Sequence, residues 1–243
     1  LKASLKNTAI LIFARSAAEE ARNKTFVEGS SKQNLRISQF LLKQVQRTTR
    51  ATGLPFFHLN ENIQKGDTFG ERLFNACQIV FDKGFGRVIV LGSDCPNITP
   101  KVLIDAAIAL DNYSLVLGPS KDGGIYLLAA DQEIFDKKHF LNIDWGSDQV
   151  FSQLLSWRKD NRSYCLPSFE DIDQAADLHR LFRHIRIPYN LLKLLEAFFL
   201  NKDFINAFEG FFNRGIKSSH SFGYRGPPLF PSSFPNFFNF NDR

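Results

Sequence analysis

Methionine is absent from the 243 residues, cysteine occurs three times and tryptophan twice. Cys77, Cys95 and Cys165 lie far apart without a Cys-x-x-Cys pair, which argues against a zinc ribbon, a redox dithiol or a disulfide framework. A reducing cytoplasm is the setting this composition implies. Long apolar runs are missing as well, so no segment is built to span a bilayer, and the start Leu1-Lys2-Ala3-Ser4-Leu5-Lys6 lacks a signal-peptide core. The expectation is a soluble chain. Charge of one sign is nowhere gathered into a block. The 30 Lys and Arg against 25 Asp and Glu give a formal +5 that carries no nucleic-acid footprint, although a basic surface suits anionic substrates. The missing methionine, at the first position included, fits either a piece of a longer chain or a core in which Leu and the 26 Phe take its place.

What is present is apolar material, 44% of residues, enough for one sizeable core and a small helical appendage. Thr8-Ala9-Ile10-Leu11-Ile12-Phe13 is a continuous apolar run of the kind that fills a strand buried on both faces. The polar stretch from Arg15 to Lys32 then reads as a substrate-facing loop. Leu35, Leu41, Leu42 and Val45 mark a helix face, Pro55 to Leu59 a second strand, and Leu73, Ala76, Cys77 and Val80 a second helix. Arg87 to Leu91 forms a strand that runs into Gly92-Ser93-Asp94-Cys95-Pro96. Thr99-Pro100 caps the helix of Leu103, Ala106, Ala107 and Leu110. Strands at Ser114 to Leu117 and Ile125 to Leu128 flank the tight turn Asp122-Gly123-Gly124. A helix is expected from Asp148 to Trp157, a strand from Ser163 to Leu166, and a helix from Gln174 into Arg186. The pattern predicts a largely parallel α/β sheet with helices on both faces over residues 1–186. A helical extension over 187–217 and an irregular Phe- and Pro-rich tail over 218–243 follow, the aromatic residues serving packing or a contact surface, for instance between copies of the chain.

In open α/β sheets, ligands bind beyond the carboxyl ends of strands, where loops meet helix N-termini whose free N–H groups attract anions. Asp94 occupies such a place. It can hold Mg²⁺ or Mn²⁺ beside a diphosphate, or it can cap the turn or the helix that follows. Asp122-Gly123-Gly124 sets a carboxylate beside glycines that permit close backbone approach to a ligand, and it is equally an ordinary hairpin turn. Trp145 can stack on a sugar and Asp148 can bond its hydroxyls, or both can serve packing and capping. Asp67 and Arg72, in a Gly-flanked segment before a helix, are placed to contact phosphate or the first loop. His179 and His184 carry no metal argument and read as surface residues.

Taken together, Leu91 to Pro100, Leu117 to Leu128, Gly66 to Leu73, Asp144 to Val150 and Asp171 to Leu178 resemble, in order and spacing, a small bacterial GT-A-type glycosyltransferase family found beside radical-SAM enzymes. The resemblance covers about residues 8 to 180. It implies a GT-A, Rossmann-like three-layer fold in which Asp94 is the metal-binding acid and Asp173 the second metal ligand. Phe13, Ala14 and Arg15 would border the nucleotide base. The first loop departs from the family pattern Lys-Thr-Arg-Leu: here Lys24-Thr25 is followed by Phe26, so a phosphate-gripping arginine is replaced and Lys24 remains as a point charge.

The leading expectation is a metal-dependent glycosyltransferase that takes a nucleotide-diphosphate sugar, with Ser93, Gly123 and Gly124 at the donor and Asp122 near the reacting centre, as base to an acceptor hydroxyl of unknown identity. A nucleotidyltransferase of guanylyltransferase type is the alternative, although the Gly-rich first loop that wraps a nucleoside triphosphate is missing. A third reading is a weakened fold that binds a nucleotide or partner without turnover.

Overall fold

The computed structural model describes residues 3–156, 163–172 and 177, all within the unit Leu1–Arg186. Asp173, the helix expected from Gln174, the extension and the tail lie outside the described residues. After a short helix α1 (Ala3–Lys6), strand β1 (Thr8–Phe13) is buried along nearly its whole length. Ile10 and Ile12 face one apolar cluster, Ala9 and Leu11 the other, so burial on both faces explains the absence of alternation.

The stretch after β1 is not a simple loop. It contains helix α2 (Ala17–Asn23), started by Ser16, whose side chain accepts from the Glu19 N–H, with Glu19 and Glu20 in its first turn. No residue of α2 is buried. Helix α3 (Ser31–Arg50) follows and buries Ile37, Leu41 and Val45 at four-residue spacing. Between the two, Phe26 is 1% exposed. The Asn34 side chain holds that segment, accepting from the N–H groups of Phe26 and Val27 at 2.9 and 2.8 Å.

Strand β2 (Phe56–Leu59) leads to α4 (Phe69–Phe81), opened by a capping box between Thr68 and Glu71. Strand β3 (Arg87–Leu91) leads to α5 (Pro100–Ala109), where Thr99 caps the Val102 N–H and Pro100 fills the first turn. Then come β4 (Leu115–Pro119), β5 (Ile125–Asp131), a 3-10 turn (Gln132–Ile134), α6 (Lys137–Asn142), α7 (Val150–Ser156) and β6 (Ser163–Cys165). The turn and α6 were not foreseen. Helix α7 starts two residues after Asp148, which lies in the preceding turn.

The six strands form one sheet ordered β2-β1-β3-β5-β4-β6. Pairings β1–β2, β1–β3 and β4–β6 are parallel, whereas β5 is antiparallel to both β3 and β4. Only β5 therefore runs against the others, and the carboxyl ends of β1, β2, β3 and β4 share one edge. Residues of α3 and α5 contribute to one core cluster, and residues of α4, α6 and α7 to the other, giving three layers. Among the described residues, no helix is long and apolar enough to cross a membrane.

Candidate functional site

Two adjoining clefts, of about 380 and 400 Å³, open along the shared edge of strand ends. Phe13, Phe69, Gly92 and Asp94 line both, so Asp94 stands on the wall between them. The larger cleft is also lined by Arg15, Lys24, Arg72 and Ser93, together with Glu19, Glu20 and Glu61. The smaller is lined by Asp122, Gly124, Trp145, Asp148 and Asp171. Of the site candidates singled out in the sequence that lie among the described residues, Gly123 and Asp67 line neither cleft.

Asp94 is aimed by its neighbours. A Cβ added to Gly92 would lie 2.7 Å from Asp94 Oδ1, so only glycine lets the carboxylate fold back over the end of β3. Lys24 Nζ donates to Asp94 Oδ2 at 3.0 Å and lies 3.0 Å from Glu20 Oε1, so the first loop reaches the wall through its ammonium. Phe26, at the position where the family pattern has arginine, points into the core.

The segment after β6 returns to the same place. Leu166 donates its N–H to Leu117, Phe169 to Pro119 and Ile172 to Asp94, the last at 2.9 Å. Tyr126 donates its hydroxyl to the Pro167 carbonyl at 2.9 Å. Asp171 is thereby set in the smaller cleft with Asp94. The Cys95 thiol registers both acids: burial pushes its pKa up first, and the charges of Asp171 and Asp94 push it further. Sequence reasoning assigned no role to Asp171, although it lies two residues before Asp173.

The cation-lined cleft is braced from β2. Glu61 accepts from the Ser16 N–H and hydroxyl, both at 2.6 Å. Burial raises the Glu61 pKa, and these hydrogen bonds more than offset it, leaving a net lowering. His58 Nε2 lies 3.1 Å from the Ala14 carbonyl, an acceptor only, which identifies Nε2 as the protonated nitrogen. Arg72 donates to the carbonyls of Gly66 and Asp67 at 3.4 and 3.2 Å. Asp67 serves there through its backbone, and its own N–H donates to Glu71.

In the smaller cleft, Asp122 Oδ1 accepts from Ser120 Oγ at 2.7 Å and from the Gly124 N–H at 3.0 Å. Burial raises the Asp122 pKa, but these bonds prevail and hold it below the ordinary value of 3.8. Gly123 has φ +93°, and a Cβ there would lie 2.0 Å from the Asp148 carbonyl oxygen. The close approach it permits is thus to the turn before α7, not to open space. Trp145 Nε1 donates to the Phe140 carbonyl at 2.9 Å. Its ring is 5.4 Å from Phe69, which is 5.5 Å edge-on from Phe13. Phe69, 44% exposed at the start of α4, extends this aromatic row, and no periodicity marks its position.

Among the described residues, no group of three or more His, Cys, Asp or Glu could hold a metal ion. Asp94 and Asp171 line one cleft, and Mg²⁺ or Mn²⁺ asks for only one or two carboxylates, completing its shell with water and substrate phosphate.

This architecture, a three-layer sandwich with one reversed strand and clefts at the strand ends, is a GT-A and nucleotidyltransferase-like fold. The family described as "Uncharacterized protein conserved in bacteria (DUF2064)" matches residues 28–147. A crystal structure from Desulfovibrio desulfuricans G20, provisionally assigned as a nucleotide-diphospho-sugar transferase, superposes with a TM-score of 0.67 over 84% of this chain and 98% of that one, at 21% identity. The 2-phospho-L-lactate guanylyltransferase of Methanocaldococcus jannaschii is 27% identical over 193 residues, 72% of this chain and 83% of the relative.

Proposed function

We propose that the chain is a transferase that holds an activated nucleotide donor across the two clefts, and that the donor is a nucleotide-diphosphate sugar whose glycosyl group passes to an acceptor hydroxyl. The observation that carries this reading is the position of Asp94 on the wall shared by both clefts. On one side, Arg15, Lys24 and Arg72 offer charge-assisted bonds to phosphate oxygens. On the other, an aromatic row and carboxylate acceptors suit a ring bearing hydroxyls. The bond between diphosphate and sugar would then lie over Asp94.

Phe13 and Ala14, at the end of β1, would border the base. Asp122 would accept a hydrogen bond from a substrate hydroxyl and fix its direction. Its lowered pKa makes it a better orienting acceptor than proton base, because general bases work best with a pKa near the working pH. Asp94, with Asp171 or Asp173, would hold Mg²⁺ or Mn²⁺, whose charge would offset that of the diphosphate. Lys24 would exchange Asp94 for phosphate as the donor enters.

A second reading, nucleotidyl transfer, is favoured by the likeness to the guanylyltransferase. There the same cations would hold a triphosphate and the acceptor would attack an α-phosphate. Product analysis separates the two: incubation with nucleotide sugars or with nucleoside triphosphates, in Mn²⁺ with candidate acceptors, is expected to release a nucleoside diphosphate from the former. Release of pyrophosphate from triphosphates, with nucleotide sugars left intact, would establish the second reading instead.

A further inference from the structure

The smaller cleft is lined by four carboxylates, Asp94, Asp122, Asp148 and Asp171, and by no Lys, Arg or His among the described residues. The nearby ammonium groups have acids of their own: Lys24 pairs with Glu20 and Asp94 on the other side of the wall, and Lys121 with Glu170. Its remaining surface is largely apolar, with Phe13, Phe69 and Trp145 in a row. Because the Trp145 N–H is committed to the Phe140 carbonyl, the indole offers a ligand its ring rather than a donor.

Such a surface selects by charge. A hydroxyl-rich neutral ring can rest its C–H face on the aromatic row and donate its O–H groups to carboxylates, bonds strengthened by the acceptor's charge. With Asp94 and Asp171 given over to the divalent cation and the diphosphate, a carboxylate or phosphate carried into the same space still meets Asp122 and Asp148 and no Lys, Arg or His among the described residues. The two clefts thus divide the donor: anionic groups belong in the larger one, where Arg15, Lys24 and Arg72 stand among Glu19, Glu20 and Glu61, and the group beyond the diphosphate belongs among the acids of the smaller one.

We infer that this cleft is a specificity site for an uncharged sugar, and that it rejects uronic-acid and phosphorylated counterparts. The inference rests on the donor-site reading above. It excludes from this cleft an acceptor bearing its own phosphate.

The test is calorimetric titration of the full chain, in Mn²⁺ at neutral pH, with two pairs of nucleotide sugars that differ only in oxidation of the sugar's C6 hydroxymethyl to carboxylate: UDP-glucose against UDP-glucuronate, and GDP-mannose against GDP-mannuronate. UDP and GDP alone report the diphosphate site. For whichever nucleotide binds, the neutral sugar is expected to bind tighter than the uronate by roughly tenfold or more. Asp148 is exposed, so Asp148→Asn is expected to keep the fold and to narrow the ratio through weaker repulsion. Equal binding of both members of a pair, with the diphosphate bound, overturns the charge selection and leaves the donor site standing. A ratio unchanged by Asp148→Asn and by added salt would assign the preference to shape and overturn it as well. Failure of the diphosphates and of every nucleotide sugar to bind overturns the donor-site reading, and this inference with it.

Discussion

Lys24 and Asp94 are 70 residues apart in the chain and form the contact between the first loop and the wall separating the clefts. Their side chains are 16% and 33% exposed, so water screens the pair and its contribution to stability is about 1 kcal/mol or less. The larger consequence concerns what Asp94 can bind. A carboxylate oxygen held by an ammonium must lose that partner before it takes a divalent cation. Lys24→Met, which keeps much of the stem and removes the charge, is therefore expected to tighten Mn²⁺ binding to nucleotide-free protein while weakening UDP or GDP binding roughly tenfold through the lost charge-assisted contact. Electron paramagnetic resonance titration reads the first effect and calorimetry the second. Equal Mn²⁺ affinity in the two proteins would detach Lys24 from the metal site. Asp94→Asn, nearly the same shape, is expected to abolish the metal dependence of nucleotide binding, and unchanged dependence would remove Asp94 from its role.

The turn between β4 and β5 governs how the element across the cleft is placed. Gly123 combines a left-handed φ of +93° with a carbonyl oxygen 2.0 Å from where a Cβ would be, so alanine there must displace the turn that carries Asp148. Gly29 has a similar φ, +68°, with nothing within 4 Å. Gly29→Ala is expected to cost about 1 kcal/mol from conformation alone. Gly123→Ala should cost more, about 2 kcal/mol or above, and should also weaken binding in the smaller cleft. Urea unfolding of the two variants makes the comparison, and equal costs would mean that the Asp148 turn yields freely. The same elements show what a sequence reveals. Buried strands, the Thr99-Pro100 start of α5 and helix α3 were legible because each is a local pattern, although the face read for α3 took in the half-buried Leu35 and Leu42 and missed the buried Ile37. Helix α2 was not, because it buries nothing: its Ser16 cap and its acidic first turn leave no apolar period to read. Helix α6 is one short turn-and-a-half with Phe140 as its buried residue, below what periodicity detects. At the clefts, Asp94 and Asp122 were singled out from strand-end loops and Trp145 from its place before a helix. Glu61, Phe69 and Asp171 were not, since their roles come from β2, α4 and the segment after β6 meeting in space. Asp67 looked like a ligand residue by its glycine neighbours, and those neighbours instead let its backbone meet Arg72 and Glu71.

At the scale of the whole molecule, His58 and Glu61, which brace the start of the first loop, and Asp122 in the β4–β5 turn make stability depend on pH in two separate windows. Burial lowers the His58 pKa from its ordinary 6.5, against the smaller opposing effects of the Ala14 carbonyl and the Glu61 charge. The unfolded chain then takes up this proton before the folded one does. The His58 contribution is complete above 6.5 and is lost as pH falls from there through the lowered folded value. Glu61 and Asp122, whose folded values lie below 4.5 and 3.8, contribute above those ordinary values and lose their share only as pH falls further. Acidification should therefore weaken the fold first through His58 and later through the carboxylates, the first step amounting to about 1.4 kcal/mol for each unit of depression. His58→Gln keeps an N–H group for the Ala14 carbonyl and cannot take up the proton. Urea midpoints measured between about pH 7.5 and pH 5 are expected to fall more steeply for the parent protein than for this variant. The chain has 5 His, and the difference between the two curves isolates this one. Parallel curves would place the first acid step on another group, whereas a flatter curve for the variant, with the lower step retained, would tie the upper window to the β2 brace beneath the cation-lined cleft.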